Sequence, residues 1–432
     1  MSGNPKVLVI SHNVFSDNSN MGRTLLNYFK YFDKKSLANL YFHSEVPGSN
    51  ICGNYYRVTD FDLIRSIFKG NKTGTLFGND DIITGAKTNR IDSGVEANIY
   101  QMGRKRTPFM YVGRNILWNT KKWHNQQLDK WIENFNPDVV FFASGDYTFS
   151  YDIALYIAKS RRIPLVISVV DDYVFNDRFS LSPLYWMNQI LFKQKFKKTV
   201  GYASKGVYIC DMLKNKYSNH FKCPAETIMT LSGVETSFVK NNNGQIRVSY
   251  LGNLSHGRWK SLVDIGRALK EIGHEYRINV YSHETNKNII NYMNKNNGIE
   301  FKGAISYQEV INVMKNSDIL IHVEDFSKKN IKRVKYSVST KIADSLKCGT
   351  CLLAYGPKNV ASIDYLYRNS AAYVVNTKIE LKSTLEELIN NKVSRNRYIE
   401  KALNLATERH DEKRNSELIK NVISSVLEEN RN

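Results

Sequence analysis

Short apolar runs alternate with amphipathic stretches along nearly the whole chain. Residues 6–11 (Lys-Val-Leu-Val-Ile-Ser) read as a first buried strand. A polar loop over 12–22 follows, and then an amphipathic helix over 23–32. Residues 40–42 supply a second strand. From 44 to 115 the pattern fades into Gly, Asn, Lys and Arg, with Arg104-Lys-Arg106 inside it, and predicts irregular loops and short helices. Order returns with a helix over 118–135, a strand over 139–143, a helix over 150–160 and a strand over 163–168 that runs to Asp171-Asp172-Tyr173. A basic amphipathic helix over 184–198, a strand over 206–210, a helix opening at Asp211 and a short strand over 227–231 close this half.

Residues 240–244 (Lys-Asn-Asn-Asn-Gly) are polar, glycine-tipped and without periodicity, which is the composition of a linker. A second alternating series starts at once. Strands are expected over 246–251, 276–281, 299–301, 319–323, 350–354 and 371–376. Helices are expected over 261–272, 286–296, 306–315, 378–390, 395–407 and 411–429, with one more beginning near Ser339. Strands alternating with helices predict α/β layers on parallel sheets. The expected division is an N-terminal domain over 1–240, with the terminal helix 411–432 packing back on it, and a second domain over 241–410. Ligands of open parallel sheets bind beyond the carboxyl ends of the strands. The crevice between two such domains is therefore the default site.

Length agrees with two domains, since 432 residues exceed one ordinary core. The formal net charge of +20 predicts attraction to anionic surfaces, whether nucleic acid, lipid or acidic polymer. No apolar run approaches the roughly 18 residues that span a bilayer. The first residues lack the pattern of a signal peptide. Five scattered cysteines suit a reducing compartment, so a cytoplasmic location is expected. Cys348 and Cys351 form a C-x-x-C, but at a helix end running into an apolar strand and with no second pair, which favours a structural reading.

Two stretches carry candidate chemistry. In 334–355, Ser339 or Thr340 can cap a helix on which Lys341 and Asp344 share a face, and Gly349 stops that helix before a strand. A polar loop feeding a helix N-terminus suits an anion. In 252–260, Gly252 follows a strand, and Arg258 and Lys260 lie at the start of the next helix. That arrangement suits a pyrophosphate leaving group, and equally a solvated basic loop.

The order of these residues resembles the donor domain of retaining GT-B glycosyltransferases of family 4. That family has a strand, Gly-Arg/Asn-Leu, a lysine a few residues on, and later Lys-x-x-Glu-Tyr-Leu-Ala-x-Gly-x-Pro. Here stand Gly252-Asn253-Leu254, Lys260 and Lys341-Ile-Ala-Asp-Ser-Leu-Lys-Cys-Gly349. The likeness covers roughly 200–365 and the first half in outline. It implies two Rossmann-like doubly wound parallel-sheet domains facing a cleft. It also implies a nucleotide-sugar donor, UDP- or GDP-linked, with no metal and no other cofactor. Lys260 matches the lysine on the donor diphosphate. Arg258 is inferred to replace the family arginine whose place Asn253 takes. Asp344 matches the acid on the ribose hydroxyls, Ser339 and Thr340 the phosphate-facing loop, and Lys302-Gly303 the base contact. The family's other acid falls at Tyr336, which is no carboxylate, and Glu324 or Asp325 is a substitute within reach.

In the first half, Gly22 in Asn20-Met-Gly22 resembles the family's glycine loop near the donor phosphate or acceptor, and equally an ordinary loop glycine. His12, Asp171 and Asp172 are acceptor-side candidates, although a lone histidine is more often structural and the Asp pair is equally a strand-end turn. The helix over 184–198 reads as an interfacial helix or as a surface helix packed on a sheet.

The sequence therefore predicts a retaining glycosyltransferase acting on a glycan, lipid-linked or polymer acceptor, at the inner face of a membrane if the basic surface meets anionic lipid. Rival readings are a nucleotide-sugar 2-epimerase on the same fold and a degenerate sugar-binding protein. A nucleic-acid binder rests on charge alone and has no motif to support it.

Overall fold

The structure is a computed structural model that describes residues 4–16, 20–70, 72–78, 107–175, 180–236, 245–295 and 297–431. The expected linker at 241–244 and the basic run at 104–106 lie outside the described residues. The chain forms two compact units. One comprises 1–228 with 415–432, and the other 229–414.

The first unit holds β1 (Val7–Ser11), α1 (Asn20–Phe29), β2 (Leu37–Tyr41), β3 (Tyr55–Arg57), α2 (Asp60–Lys69), β4 (Thr75–Phe77), α3 (Pro108–Asn119), α4 (Gln126–Phe135), β5 (Val139–Ala143), α5 (Thr148–Arg161), β6 (Leu165–Val169), α6 (Pro183–Val200), β7 (Lys205–Tyr208), α7 (Asp211–Phe221) and β8 (Ala225–Thr227). Its sheet runs β4-β3-β2-β1-β5-β6-β7-β8. Only the β3–β4 pair at the edge is antiparallel. Every residue of β1, β2, β5 and β6 is buried, as expected of parallel strands covered on both faces. The second unit holds β9 (Val248–Leu251), α8 (Arg258–Ile272), β10 (Ile278–Tyr281), α9 (Lys287–Asn294), β11 (Ile299–Gly303), α10 (Tyr307–Asn316), β12 (Ile319–Val323), α11 (Lys328–Val334), α12 (Thr340–Lys347), β13 (Cys351–Tyr355), α13 (Ala361–Arg368), β14 (Tyr373–Val375), α14 (Leu381–Asn390) and α15 (Lys392–Arg409). Its sheet is wholly parallel, in the order β11-β10-β9-β12-β13-β14. The last helix, α16 (Glu412–Glu429), lays Ile419, Val422, Ile423 and Val426 into the core of the first unit beside Val7, Phe29 and Phe141.

Both sheets reverse direction at one point. In the first unit the chain builds outward from β1 through β2 and β3, then returns to the other side of β1 with β5. In the second it builds from β9 through β10 and β11, then returns beside β9 with β12. The carboxyl ends of β1 with β5, and of β9 with β12, are thus the two switch points, where the loops diverge and leave room for a ligand.

The sequence pattern needs several corrections. The helix expected over 118–135 is two, α3 and α4. Lys121 takes a left-handed φ of 56°, and the Asn125 side chain caps α4 by accepting from Gln127 and Leu128. The break is hidden in the sequence because Trp118, Trp123 and Leu128, before, within and after the turn, are all buried apolar residues. The stretch 44–115 is more ordered than its composition suggests: Thr59 and Asp62 make a reciprocal capping box that starts α2. The strand expected over 227–231 ends at Thr227. Helices α11 and α13, unforeseen, flank α12 and β13. Gly22 lies within the first turn of α1 and is buried.

Candidate functional site

In the second unit the site grows from the end of β9. The Gly252 amide donates to Tyr281 O at 3.1 Å, and a Cβ there would lie 2.7 Å from the Tyr250 hydroxyl oxygen. The chain then turns through Asn253, whose carbonyl accepts from the Tyr250 hydroxyl at 2.7 Å. Helix α8 starts at Gly257, which has φ 79°. A Cβ at that position would meet Asp325 and Asn330 at 2.7 Å, so only glycine fits both the conformation and the space.

Arg258 is the first residue of α8 and reaches back to the end of β12. Its Nε donates to Glu324 Oε2 at 3.1 Å and its Nη2 to Glu324 Oε1 at 2.8 Å, a two-bond fork. Its Nη1 donates to Asn253 Oδ1 at 2.7 Å, and the same oxygen accepts from Ser255 Oγ at 2.6 Å. A guanidinium carries five N–H groups, so these three bonds fix its plane and leave two N–H for another acceptor. Glu324 is buried at 2% exposure. Burial pushes its carboxyl up, and the Arg258 guanidinium partly restrains that rise. Beneath it, burial pushes His322 down to about 3, so this ring is neutral, with Nε2 3.0 Å from Ser362 Oγ.

Further cations gather around Arg258. Lys341, in the first turn of α12, is lowered by desolvation and by Arg258, against the pull of Asp344. His256 is lowered by desolvation and by the charges of Arg258 and Arg333, the latter from α11. Arg258 and Lys341 are thus within electrostatic reach of each other, while the buried carboxylates of Glu324 and Asp325 and the carboxylate of Asp344 offset part of that charge. Ser339 caps α12, its hydroxyl accepting from the Lys341 amide at 3.4 Å, and Thr340 follows as the first helical residue.

The other expected donor residues fall in different surroundings. Asp344 accepts from Ser232 Oγ at 2.9 Å and from the Gly233 amide at 3.1 Å through the same oxygen, so it anchors the loop entering this unit. The Lys260 ammonium lies on exposed helix surface, 5.7 Å from the centre of the Trp259 ring. Lys302, on edge strand β11, pairs with Glu300. Gly303 ends that strand with φ 79° and open space around its Cβ position. Glu324 is committed to Arg258. Asp325 accepts from the Ser327 amide at 3.2 Å, from the Ser327 hydroxyl and from Asn330 Nδ2 at 2.8 Å, holding the start of α11. Tyr336 is half-buried in the loop between α11 and α12. Cys348 and Cys351 are both buried, and burial pushes their thiols up to about 11 and about 12, which suits structural thiols.

The switch point of the first unit holds a second constellation. His12 follows β1 and stacks on Tyr147, which follows β5, with ring centroids 4.1 Å apart. The His43 ring meets His12 edge-on at 5.4 Å, and its Nδ1 lies 3.4 Å from Glu45 Oε2. Burial would raise the Glu45 carboxyl, but hydrogen bonds from His43, Asn13 and Val14 outweigh it and hold it below the usual range. Arg114 lies 4.5 Å over the Tyr147 ring and is fixed by Asp60 at 2.6 Å and 2.9 Å. The sequence pointed to His12 alone here. His43, Tyr147 and Arg114 are joined to it by strand order, which periodicity does not reveal.

Asp172, in contrast, organises its own turn, accepting from Phe175 N at 3.0 Å and Tyr217 Oη at 2.7 Å. Asp171 is exposed and accepts from the Asp172 amide at 2.8 Å. Among the described residues no three His, Cys, Asp or Glu side chains cluster as a metal site would require.

Comparison with solved structures places this architecture. A glycosyltransferase from Rickettsia africae ESF-5 superposes with a TM-score of 0.56 at 12% identity, covering 98% of this chain and 99% of that one. HepE from Anabaena in complex with UDP-glucose gives 0.54 at 12% identity, covering 97% and 99%. WaaG, a glycosyltransferase involved in lipopolysaccharide biosynthesis, gives 0.53 at 11% identity, covering 96% and 99%. The fold is GT-B. Within this GT-B chain, residues 258–421 match the family described as glycosyl transferase-like, a segment that begins at Arg258. The matched segment covers most of the second unit and runs into α16. No curated protein matches the sequence at a significant level.

Proposed function

We propose that this GT-B protein is a retaining glycosyltransferase that moves a sugar from a UDP- or GDP-linked donor to a glycan, lipid-linked or polymer acceptor in surface polysaccharide synthesis. The observation that carries this reading is the Arg258 guanidinium, fixed by Glu324 and Asn253 at the switch point of the second sheet with two N–H groups left over, and near enough to Lys341 to help depress it. It is supported by the family match over the same segment and by the UDP and UDP-glucose complexes of HepE.

In this reaction the bond from the anomeric carbon to the phosphate oxygen breaks, and its electron pair passes to the diphosphate. Its cost is set by the charge that develops there, so pre-oriented cations stabilise the transition state more than the bound donor. Arg258 and Lys341 are assigned that role, and the amides at the start of α12, behind Ser339 and Thr340, face the same anion. Lys260 becomes a peripheral cation of the site. Asp344 is assigned to the ribose hydroxyls. On the acceptor side, His12 and Tyr147 offer an aromatic platform. The acceptor oxygen bonds the same face of the sugar that the diphosphate leaves, and its proton departs with the diphosphate.

The test is turnover of UDP- and GDP-sugars with polyol and lipid-linked acceptors, followed by NMR of the product. A nucleoside diphosphate released together with a product of unchanged anomeric configuration supports the proposal. An inverted product overturns retention. Conversion of the free donor without any acceptor overturns transfer in favour of an epimerase.

A further inference from the structure

The first unit carries an exposed face that sugar transfer does not use. Helix α6 buries Asn188, Phe192, Phe196, Thr199 and Val200. Its opposite side presents Trp186, Met187 and Ile190, at 45%, 51% and 58% exposure, and then Lys193 and Lys197. Trp186, Ile190, Lys193 and Lys197 follow the helical spacing of three and four, with Met187 beside them, so they form one stripe that is apolar for about one turn and basic for about the next. Leu181, just before the helix, is 87% exposed.

Helix α3 packs beside α6, tied by Asn115 Nδ2 donating to Asn188 Oδ1 at 2.8 Å. It exposes Phe109 at 72% and Ile116 at 65%, seven residues apart and thus also on one side. Large apolar side chains seldom gather on the surface without a partner. Beyond the apolar half of α6, Lys197 and Lys198 join Lys159 of α5, Gln194, Gly201 and Tyr202 around a surface depression of about 480 Å³. Lys198 and Lys159 line a second one, of about 440 Å³, with Asp152 and Tyr156.

We propose that the exposed sides of α3 and α6 form a docking surface for an anionic phospholipid bilayer. The Trp186–Ile190 stripe enters the interfacial layer, and the lysine depressions at the end of α6 receive phosphate headgroups. An amphipathic helix that lies in the interface has this division of apolar and lysine-bearing surface. Charge complementarity selects the occupant. The protein is +20, and its lysines flank the apolar stripe instead of alternating with acids. A second copy docked through the same face would bring two lysine clusters together, which costs association free energy. No helix among the described residues is long and apolar enough to cross a membrane, so the contact is one of surface docking. This inference does not rest on sugar transfer and stands or falls separately from it.

The experiment is flotation of the full chain with vesicles of phosphatidylglycerol and phosphatidylcholine, against phosphatidylcholine alone, in low salt and in about 1 M salt, where screening acts within about 3 Å. Two variants accompany the wild type, Met187→Ser/Ile190→Ser and Lys197→Glu/Lys198→Glu, each checked for unchanged thermal unfolding. All four side chains are exposed, so both variants should fold. The wild type is expected to float with anionic vesicles only and to be released by salt. Each lysine removed should weaken partition about fivefold, so the double charge reversal loses at least tenfold. The apolar variant loses a similar factor. Wild type that does not float, equal flotation with neutral vesicles, or equal partition of all three proteins overturns the proposal. So does a dimer on size exclusion that Met187→Ser/Ile190→Ser dissolves without any effect of vesicles.

Discussion

Arg258 is the residue on which the proposed donor site turns, and its partner decides its behaviour. Glu324 stands 66 positions away and meets it only because β12 lies beside β9. The sequence marked Arg258 by its place at a helix start after a glycine loop. It marked Glu324 only as a substitute acid for the sugar, since no local pattern reveals a pair formed across a strand crossover. Arg258→Ala is expected to weaken donor binding about 10- to 100-fold, as loss of charged hydrogen bonds of about 1.5–3 kcal/mol implies. Titration calorimetry with the best donor checks this, and wild-type affinity would reassign the diphosphate. Glu324→Gln keeps the shape but removes the charge that holds the fork. It should raise KM for the donor and lower Tm, since breaking a buried pair leaves Arg258 uncompensated.

His410 gives a pH prediction at the same scale. It closes α15, its Nδ1–H donating to Thr230 O at 2.6 Å and its Nε2 accepting from the Tyr365 hydroxyl at 2.8 Å. Burial pushes it down to about 4 from an ordinary 6.5. The unfolded chain therefore binds the proton first, and stability is lost as pH falls from about 6.5 towards 4. The full difference is roughly 3 kcal/mol at 1.36 kcal/mol per pH unit. Thermal unfolding between neutral pH and pH 4.5 should show that fall. His410→Gln should start lower and fall less steeply, and an unchanged slope would remove His410 as its source.

Among the elements, legibility followed the strength of the period. β12 falls on 319–323 as the apolar run predicts, and the buried strands of both sheets lie within a few residues of their expected bounds. What failed were elements whose ends depend on caps. The Lys121 turn, the α2 capping box and the short α11 are set by a few local polar contacts that leave the hydrophobic pattern unchanged. Close helix packing was equally invisible. Gly266 of α8 sits against the 297–298 turn, where a Cβ would lie 2.1 Å from Asn297 O. Gly266→Ala must push α8 off the sheet and is expected to cost about 1–3 kcal/mol, the usual range for overpacking. A drop of several degrees in Tm checks it. Because α8 carries Arg258, donor affinity should fall as well, and a variant with unchanged Tm would show that α8 moves freely.

Over the whole molecule, alternation of strands and helices was enough to predict two parallel-sheet units, because buried parallel strands need a covering helix after each strand. The switch points were not legible, since they depend on which strands pair and not on where strands occur. They explain why the expected donor residues separate into those gathered near Arg258 and those, such as Lys302, that lie two strands away on the edge. The central claim is that the cations at the second switch point hold a nucleoside diphosphate. A ligand that binds only the folded protein raises its unfolding temperature. The decisive measurement is therefore thermal unfolding of wild type and of Arg258→Ala/Lys341→Ala with UDP, GDP and their sugars. The account predicts a clear rise in Tm for the wild type with one nucleotide series, and none for the double variant. No rise with any nucleotide, or the same rise in both proteins, would contradict it.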